Sequence, residues 1–569
     1  MNLSKLANKI IYITLLSFAL SGCFLTGIVP SGKTNKTGPT SPSKPAIEVV
    51  PGSNPAARIS NNLLLRRISL DLKGDLPPTS DLEAVAEDEN LMQKFLVNYL
   101  YSGSTIRYLS NLHGIMWRLN PGILPDLEEF IKDSAGITQA DLTAAVRAQI
   151  VREPTEMIRN GLEQGMKYSE IFALDYGITY KDNLSLWQQE GTGIPWPGEL
   201  WQFVEYSDAR PKGGPLVTNG FLAAISVGKN TNKRSMSANL MKTVMCTDFG
   251  SVDVHNFATL SAEELTTDLS ELAITKTQCV GCHAQYNEFA SVLDGLADGN
   301  SFGQWTNSSA PSEPLGKYAG HIAENEDAVF TNIGKDPRTH RCSIRRFIET
   351  TLQKPLSEID QNIFAHAIRT FYETDENFIE ALKPIIESGL YSFNIADSKV
   401  TNKYLRQSTG IKFLNKIQWS NIVKGFGQSA SQLEVPTGLT PGADETVALY
   451  NGIPGGTYWH NAMRFSRQVA AAIVNDELAD GINPESRILL TSLPIGAGSG
   501  ISAADAMLQL DAIWYKLTST KIDNSTKKYA DLLALWNATL EGGKTDDNYR
   551  NAWRAMLIAV FTDFDFLSY

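Results

Sequence analysis

The 569-residue chain holds only five cysteines, too few to serve as the disulfide scaffold of a protein this long. It also lacks a basic surplus. Fifty Lys and Arg stand against 62 Asp and Glu, a net charge of −12, which argues against broad contact with phosphate backbones. The apolar run near the start, Ile10 to Leu20, spans 11 residues, well short of the roughly 20 that a membrane-spanning helix needs. No Gly-rich phosphate loop, G-x-S-x-G elbow or H-E-x-x-H zinc helix occurs, so the chemistries that those motifs build have no foothold. No methionine lies between Met245 and Met463. What is present is an ordinary globular composition, 43% hydrophobic and 20% charged, enough for about three to five compact units.

The first residues read as an address. Lys5 and Lys9 precede the short apolar run, which ends in Leu20-Ser21-Gly22-Cys23. This is the pattern of a signal peptide closing on a bacterial lipobox, and it predicts a diacylglycerol on the thiol of Cys23, so that the protein is anchored rather than spanning. Phe24 follows where an Asp would signal inner-membrane retention, which favours the outer membrane under the sorting rule of enteric bacteria. Residues 23–57 are rich in Gly, Pro, Ser, Thr and Lys, cannot bury enough surface to offset their ordering entropy, and read as a tether.

Beyond Arg58, period-2 runs are few and amphipathic helical windows many. Thr79 after Pro77-Pro78 reads as an N-cap, with Leu82, Val85 and Ala86 along one side. Ser357, Glu358 and Asp360 open another helix whose apolar positions, Ile359, Ile363, Ala367 and Phe371, recur every fourth residue, with His366 on that face as a core histidine. His113, beside Leu112 and Met116, reads as packed too. Three stretches share a cadence of Arg-rich helix, Gly/Pro turn and acidic helix start. They begin at Arg66-Arg67, Arg345-Arg346 and Arg487, and they predict a repeated helical module. Residues 210–260, with Gly213-Gly214-Pro215, read as a loop-rich connector.

The chemistry sits in Cys279-Val280-Gly281-Cys282-His283, a C-x-x-C-H element and the attachment signature of c-type haem. On a helical turn, residues three apart share a face. Both sulfurs can therefore form thioethers with one porphyrin while the imidazole falls beneath the iron as proximal ligand. A thioredoxin-like pair would need a βαβ context, which is not seen. A zinc site would need two more ligands, for which Cys246, His255 and Cys342 are available.

Around this motif the chain resembles the planctomycete-type cytochrome c lipoproteins. The resemblance is carried by Arg66-Arg67-Ile68-Ser69-Leu70-Asp71-Leu72 with Gly74 and Pro77-Pro78-Thr79. It continues in Gly214-Pro215-Leu216-Val217-Thr218 with Phe221-Leu222-Ala223, in Phe302-Gly303-Gln304-Trp305, and in Asp336-Pro337-Arg338 leading to Cys342. It implies helical modules flanking a haem segment, but no substrate. It also places Cys246 and Cys342 at recurrent positions, and in an exported protein two such cysteines are expected to pair, closing a loop around the haem segment. For a distal iron ligand the candidates are His321 and His340, which follow the motif in stretches that read as loop-rich.

The resulting expectation is a mainly α, multi-helical fold with repeated helical modules around a c-type haem segment. Its divisions are a signal peptide (1–22), tether (23–57), N-terminal helical domain (58–209), connector (210–260), haem-binding region (261–398) and C-terminal helical domain (399–569). The expected function is that of a monohaem c-type cytochrome, lipid-anchored in the bacterial cell envelope and passing electrons to a redox partner protein outside the cytoplasm. Electron transfer is favoured over a haem-dependent oxidoreductase with an open iron site, and over an envelope scaffold with structural haem. One covalent haem c is the cofactor, the lipid anchor ties the protein to a membrane, and no nucleic-acid partner is expected.

Overall fold

In the computed structural model, the residues described are 59–119, 144–180, 190–195, 201–206, 208, 210–226, 233–247, 290, 292–296, 305, 317–318, 321–322, 325–353, 355–356, 361–388, 391, 412–439, 455–493 and 500–569. All of them belong to one compact unit, Asn54–Tyr569. The fold is mainly α. The longer helices are α1 (Asn61–Leu72), α2 (Thr79–Glu87), α3 (Leu91–Leu100), α4 (Gly103–Met116), α5 (Ala144–Glu163), α6 (Lys233–Met245) and α7 (Glu326–Lys335). They continue with α8 (Pro337–Leu352), α9 (Gln361–Glu373), α10 (Lys416–Lys424), α11 (Gly456–Glu477), α12 (Ala503–Thr518), α13 (Lys527–Leu540) and α14 (Asp546–Thr562). A small antiparallel sheet of β1 (Gly177–Tyr180), β2 (Glu190–Pro195) and β3 (Trp201–Glu205) has the order β1-β3-β2, and a two-residue pair, β4 (Lys317–Tyr318) and β5 (His321–Ile322), stands apart.

Local signals start and stop these helices. Ser60, Ser102, Ser502, Thr526 and Thr545 each accept a backbone N–H three residues on, satisfying donors that a helix leaves orphaned. Thr79 is the first residue of α2 rather than its cap, with Pro78 before it. Gly74 follows α1 at φ 68°, and a Cβ there would lie 2.3 Å from the ring of Tyr108, so both backbone and packing require glycine.

Two apolar cores result. The first runs from Leu64 to Tyr391, and the second from Phe413 to Tyr569. Helix α1 lies between them: Leu65, Ile68 and Leu72 enter the first core while Leu70 enters the second. The expected boundaries at 209/210 and 260/261 separate no cores, because Ile158, Phe221, Met245 and Phe347 share the first one. Nor is 210–260 loop-rich where it is described. Gly213-Gly214-Pro215 leads into a 3-10 turn, a short helix (Asn219–Ile225) capped by Thr218, and α6. The glycines there serve close approach, since a Cβ on Gly214 would meet the carbonyl oxygen of Ile171 at 2.0 Å.

The Arg-rich stretches behave alike at one position. Arg67 donates to the carbonyl of Tyr391 at 2.9 Å, and Arg346 to those of Met116 (2.6 Å) and Lys242 (2.9 Å). Their neighbours differ: Arg66 is fully buried and donates to the carbonyls of Leu517, Phe566 and Ser568, whereas Arg345 pairs with Glu349. Arg487 reaches the carbonyls of Leu490 and Leu493. Beside it the buried carboxylate of Glu477 accepts the amides of Ile488, Leu489 and Leu490.

Candidate functional site

Cys23, Cys279, Cys282 and His283 lie outside the described residues, as does His255. Their donor chemistry, two thiols three residues apart and an adjacent imidazole, suits covalent haem. The described chain on either side of this segment is firmly held. Helix α6 ends at Met245; the next residue, Cys246, takes a left-handed conformation (φ 53°) while the amide of Thr247 reaches back to the carbonyl of Met241 at 3.2 Å. The Cys246 sulfur is bonded to that of Cys342 on α8 at 2.08 Å. Past the motif, Val292, Leu293, Leu296 and Trp305 are buried in the first core. Leu296 pairs with Trp305 as an isolated antiparallel bridge, and the Trp305 amide donates to Asp208 at 3.0 Å.

The histidines separate into distinct settings. His340 lies on α8, not in a loop; the Asp336-Pro337 start that reads as irregular is an N-cap followed by proline at the first helical position. Its Nε2 lies 2.6 Å from the carbonyl oxygen of Gly334 and its Nδ1 3.0 Å from the Tyr372 hydroxyl. A carbonyl only accepts, so Nε2 carries the proton and the lone pair of Nδ1 is taken by Tyr372. Both ring nitrogens of His340 are thus engaged within the protein, and to ligate iron the imidazole would have to give up one of these bonds. His321 is placed in β5 opposite Tyr318. His113 is buried, with Nδ1 2.8 Å from the carbonyl of Leu109 and Nε2 3.0 Å from the hydroxyl of Tyr168; burial pushes its pKa down to about 4. His366 is exposed, because α9 buries Phe364, Ala367 and Phe371 instead. Among the described residues no group of three or more His, Cys, Asp or Glu could hold a metal ion.

Two buried polar clusters escape sequence reasoning. In the first, Asp208 accepts from Arg210 at 3.0 Å, and Arg210 also bonds Asn219 and stacks over Tyr206. Nearby Glu153 takes the Thr179 hydroxyl at 2.5 Å, and burial pushes its pKa up to about 8 against the opposing charge of Arg210. In the second, the ammonium of Lys412, fully buried, meets the carboxylate of Asp71, which also accepts the hydroxyls of Tyr391 and Tyr569. Burial holds Lys412 down at about 7. These residues are far apart in sequence, and only Asp71, within the Arg-rich motif, carried any signal.

No family model matches the chain, and neither a curated protein nor a solved structure matches it.

Proposed function

We propose that the protein is a lipid-anchored monohaem c-type cytochrome that passes electrons to a redox partner protein in the bacterial cell envelope. The observation that carries this reading is the C-x-x-C-H element at Cys279, Cys282 and His283. The two cysteines would hold the porphyrin as thioethers and His283 would hold the iron from below. Bound there, the haem would supply a reversible one-electron couple. The chain's own contribution is to fix the segment's ends: the Cys246–Cys342 bond closes the polypeptide around it, and Val292, Leu293, Leu296 and Trp305 seat its far side in the core. Both devices support the reading because a haem segment must be held in one geometry to set its potential.

The state of His340 favours a second reading. With that imidazole committed to Gly334 and Tyr372, the distal position falls to His321 or stays open, and an open iron suits a haem oxidoreductase. Visible spectroscopy of protein matured with haem separates the two. A reduced c-type spectrum indifferent to carbon monoxide supports electron transfer, and a carbon monoxide shift supports the oxidoreductase. Loss of covalent haem in a Cys279→Ser/Cys282→Ser variant is expected on both readings. Wild-type protein that carries no covalent haem overturns both.

A further inference from the structure

Beside the disulfide, α8 carries two residues of a hydrogen-bonded aromatic group whose proton positions are fixed by the backbone. The carbonyl of Leu109 obliges His113 to carry its proton on Nδ1. Nε2 is then an acceptor, and the hydroxyl 3.0 Å away on Tyr168 is its donor. The Tyr168 oxygen has Ser343 as a second hydroxyl neighbour at 2.8 Å, which can only donate to it. The same logic holds one layer out. The carbonyl of Gly334 fixes the His340 proton on Nε2, so the hydroxyl of Tyr372 donates to Nδ1 at 3.0 Å. Two tyrosines thus each give their phenolic proton to a neutral imidazole. His113, His340 and Tyr168 are buried, whereas Tyr372 is 45% exposed.

The two pairs touch. The ring of His340 lies 6.2 Å from that of Tyr168 and 5.7 Å from that of Tyr372, centroid to centroid. Phe371 bridges the same gap, 6.2 Å from Tyr168 and 5.2 Å from Tyr372. A phenol gives up an electron readily only if its proton has somewhere to go, because the protonated radical is a strong acid. Both hydroxyls have that acceptor in place.

We propose that Tyr168 and Tyr372 are one-electron redox sites, each with its own proton-accepting histidine, and that together they form a relay from the interior to the surface. Loss of one electron from Tyr168 to a strong one-electron oxidant moves its phenolic proton to His113 Nε2 and leaves a neutral phenoxyl radical. An electron from Tyr372 then refills Tyr168, which takes its proton back from His113, while the Tyr372 proton passes to His340 Nδ1. A one-electron donor in solution, such as ascorbate, reduces the Tyr372 radical at the surface, and His340 returns the proton. The relay conducts oxidising equivalents out of the core without breaking a bond other than these O–H bonds. It stands on described residues alone and does not rest on the haem reading.

The test is flash-quench oxidation of the full-length protein by tris-bipyridyl ruthenium(III), read by electron paramagnetic resonance. The wild type is expected to give a long-lived neutral tyrosyl radical. Its yield falls several-fold in Tyr168→Phe/Tyr372→Phe, and Tyr372→Phe alone slows its quenching by ascorbate. Tyr176→Phe serves as control, because that hydroxyl accepts from Asn160 and has no imidazole partner among the described residues; it should change neither. His340→Gln keeps the Tyr372 phenol but removes its base, and should shorten the radical's lifetime. Equal yield and lifetime in wild type and the double variant, or a radical found only on tryptophan, overturns the relay. Circular dichroism confirms that each variant is folded.

Discussion

Glu153 and Lys412 show how much single buried charges weigh in this protein, and each yields a measurable consequence. The folded pKa of Glu153 is raised to about 8, so between the ordinary carboxylate range and 8 the folded state keeps a proton that the unfolded state gives up. Stability from this site is therefore full below that window and is lost as the pH rises through 8, with a slope approaching about 1.4 kcal/mol per pH unit. Urea denaturation across that range should show the decline in wild type and a flatter profile in Glu153→Gln; parallel profiles contradict the assignment. At the second cluster, Lys412→Met strands the Asp71 carboxylate among the two tyrosine hydroxyls that remain. That should cost about 3–5 kcal/mol, as breaking a buried pair usually does. Adding Asp71→Asn should recover most of the loss, and a double variant as unstable as the single one would refute the pairing as its cause.

Histidine placement shows where reading at this scale succeeds and fails. His113 is packed among apolar residues, as its neighbours in sequence imply. His366 is not. Positions 359, 363, 367 and 371 do recur every fourth residue, but the stripe that α9 buries is 364, 367 and 371, rotated by about one position. An amphipathic period locates a face only to within that rotation.

At the scale of elements, the bond between Cys246 and Cys342 joins α6 to α8 across 96 residues. Closing a loop of that length in the unfolded chain is worth about 4–5 kcal/mol on the chain-entropy account. Cys246→Ser/Cys342→Ser should therefore lower the denaturation midpoint markedly, and native protein should show neither thiol to a thiol reagent. An unchanged midpoint, or two titratable thiols, would contradict the bond. The cap at Asp336 and the proline after it were legible as helix-start signals in their own right, and reading them as a loop misplaced His340. The glycines at 213 and 214 misled for a different reason. A glycine in the sequence does not tell whether it serves a free turn or a close approach, such as the Ile171 carbonyl oxygen that a Cβ on Gly214 would meet at 2.0 Å.

Across the whole molecule, the helical class followed from periodicity, and the expected start of a C-terminal unit at 399 falls between the two cores, after Tyr391 and before Phe413, yet their joining through α1 was not legible. Arg66, Leu70 and Asp71 on α1 serve the second core and its last residues, some 450 to 500 positions later in the chain. No local pattern announces a partner at that separation. The Arg-rich repeat was visible, and its shared structural role is narrower than the motif: one guanidinium, Arg67 or Arg346, reaching carbonyls of another segment. Among the described residues no helix is long and apolar enough to cross a membrane.

The central claim is that one haem is covalently bound at Cys279 and Cys282 with His283 on its iron. Intact-mass measurement with oxidised and dithionite-reduced visible spectra, on protein expressed alongside the haem-maturation machinery, addresses it most directly. The account predicts a mass increase of one haem and a reduced c-type band, both lost in Cys279→Ser/Cys282→Ser, with His283→Ala altering the spectrum. A wild-type chain at its bare polypeptide mass with free thiols at 279 and 282 would contradict it, and would turn the motif to thiol or zinc chemistry.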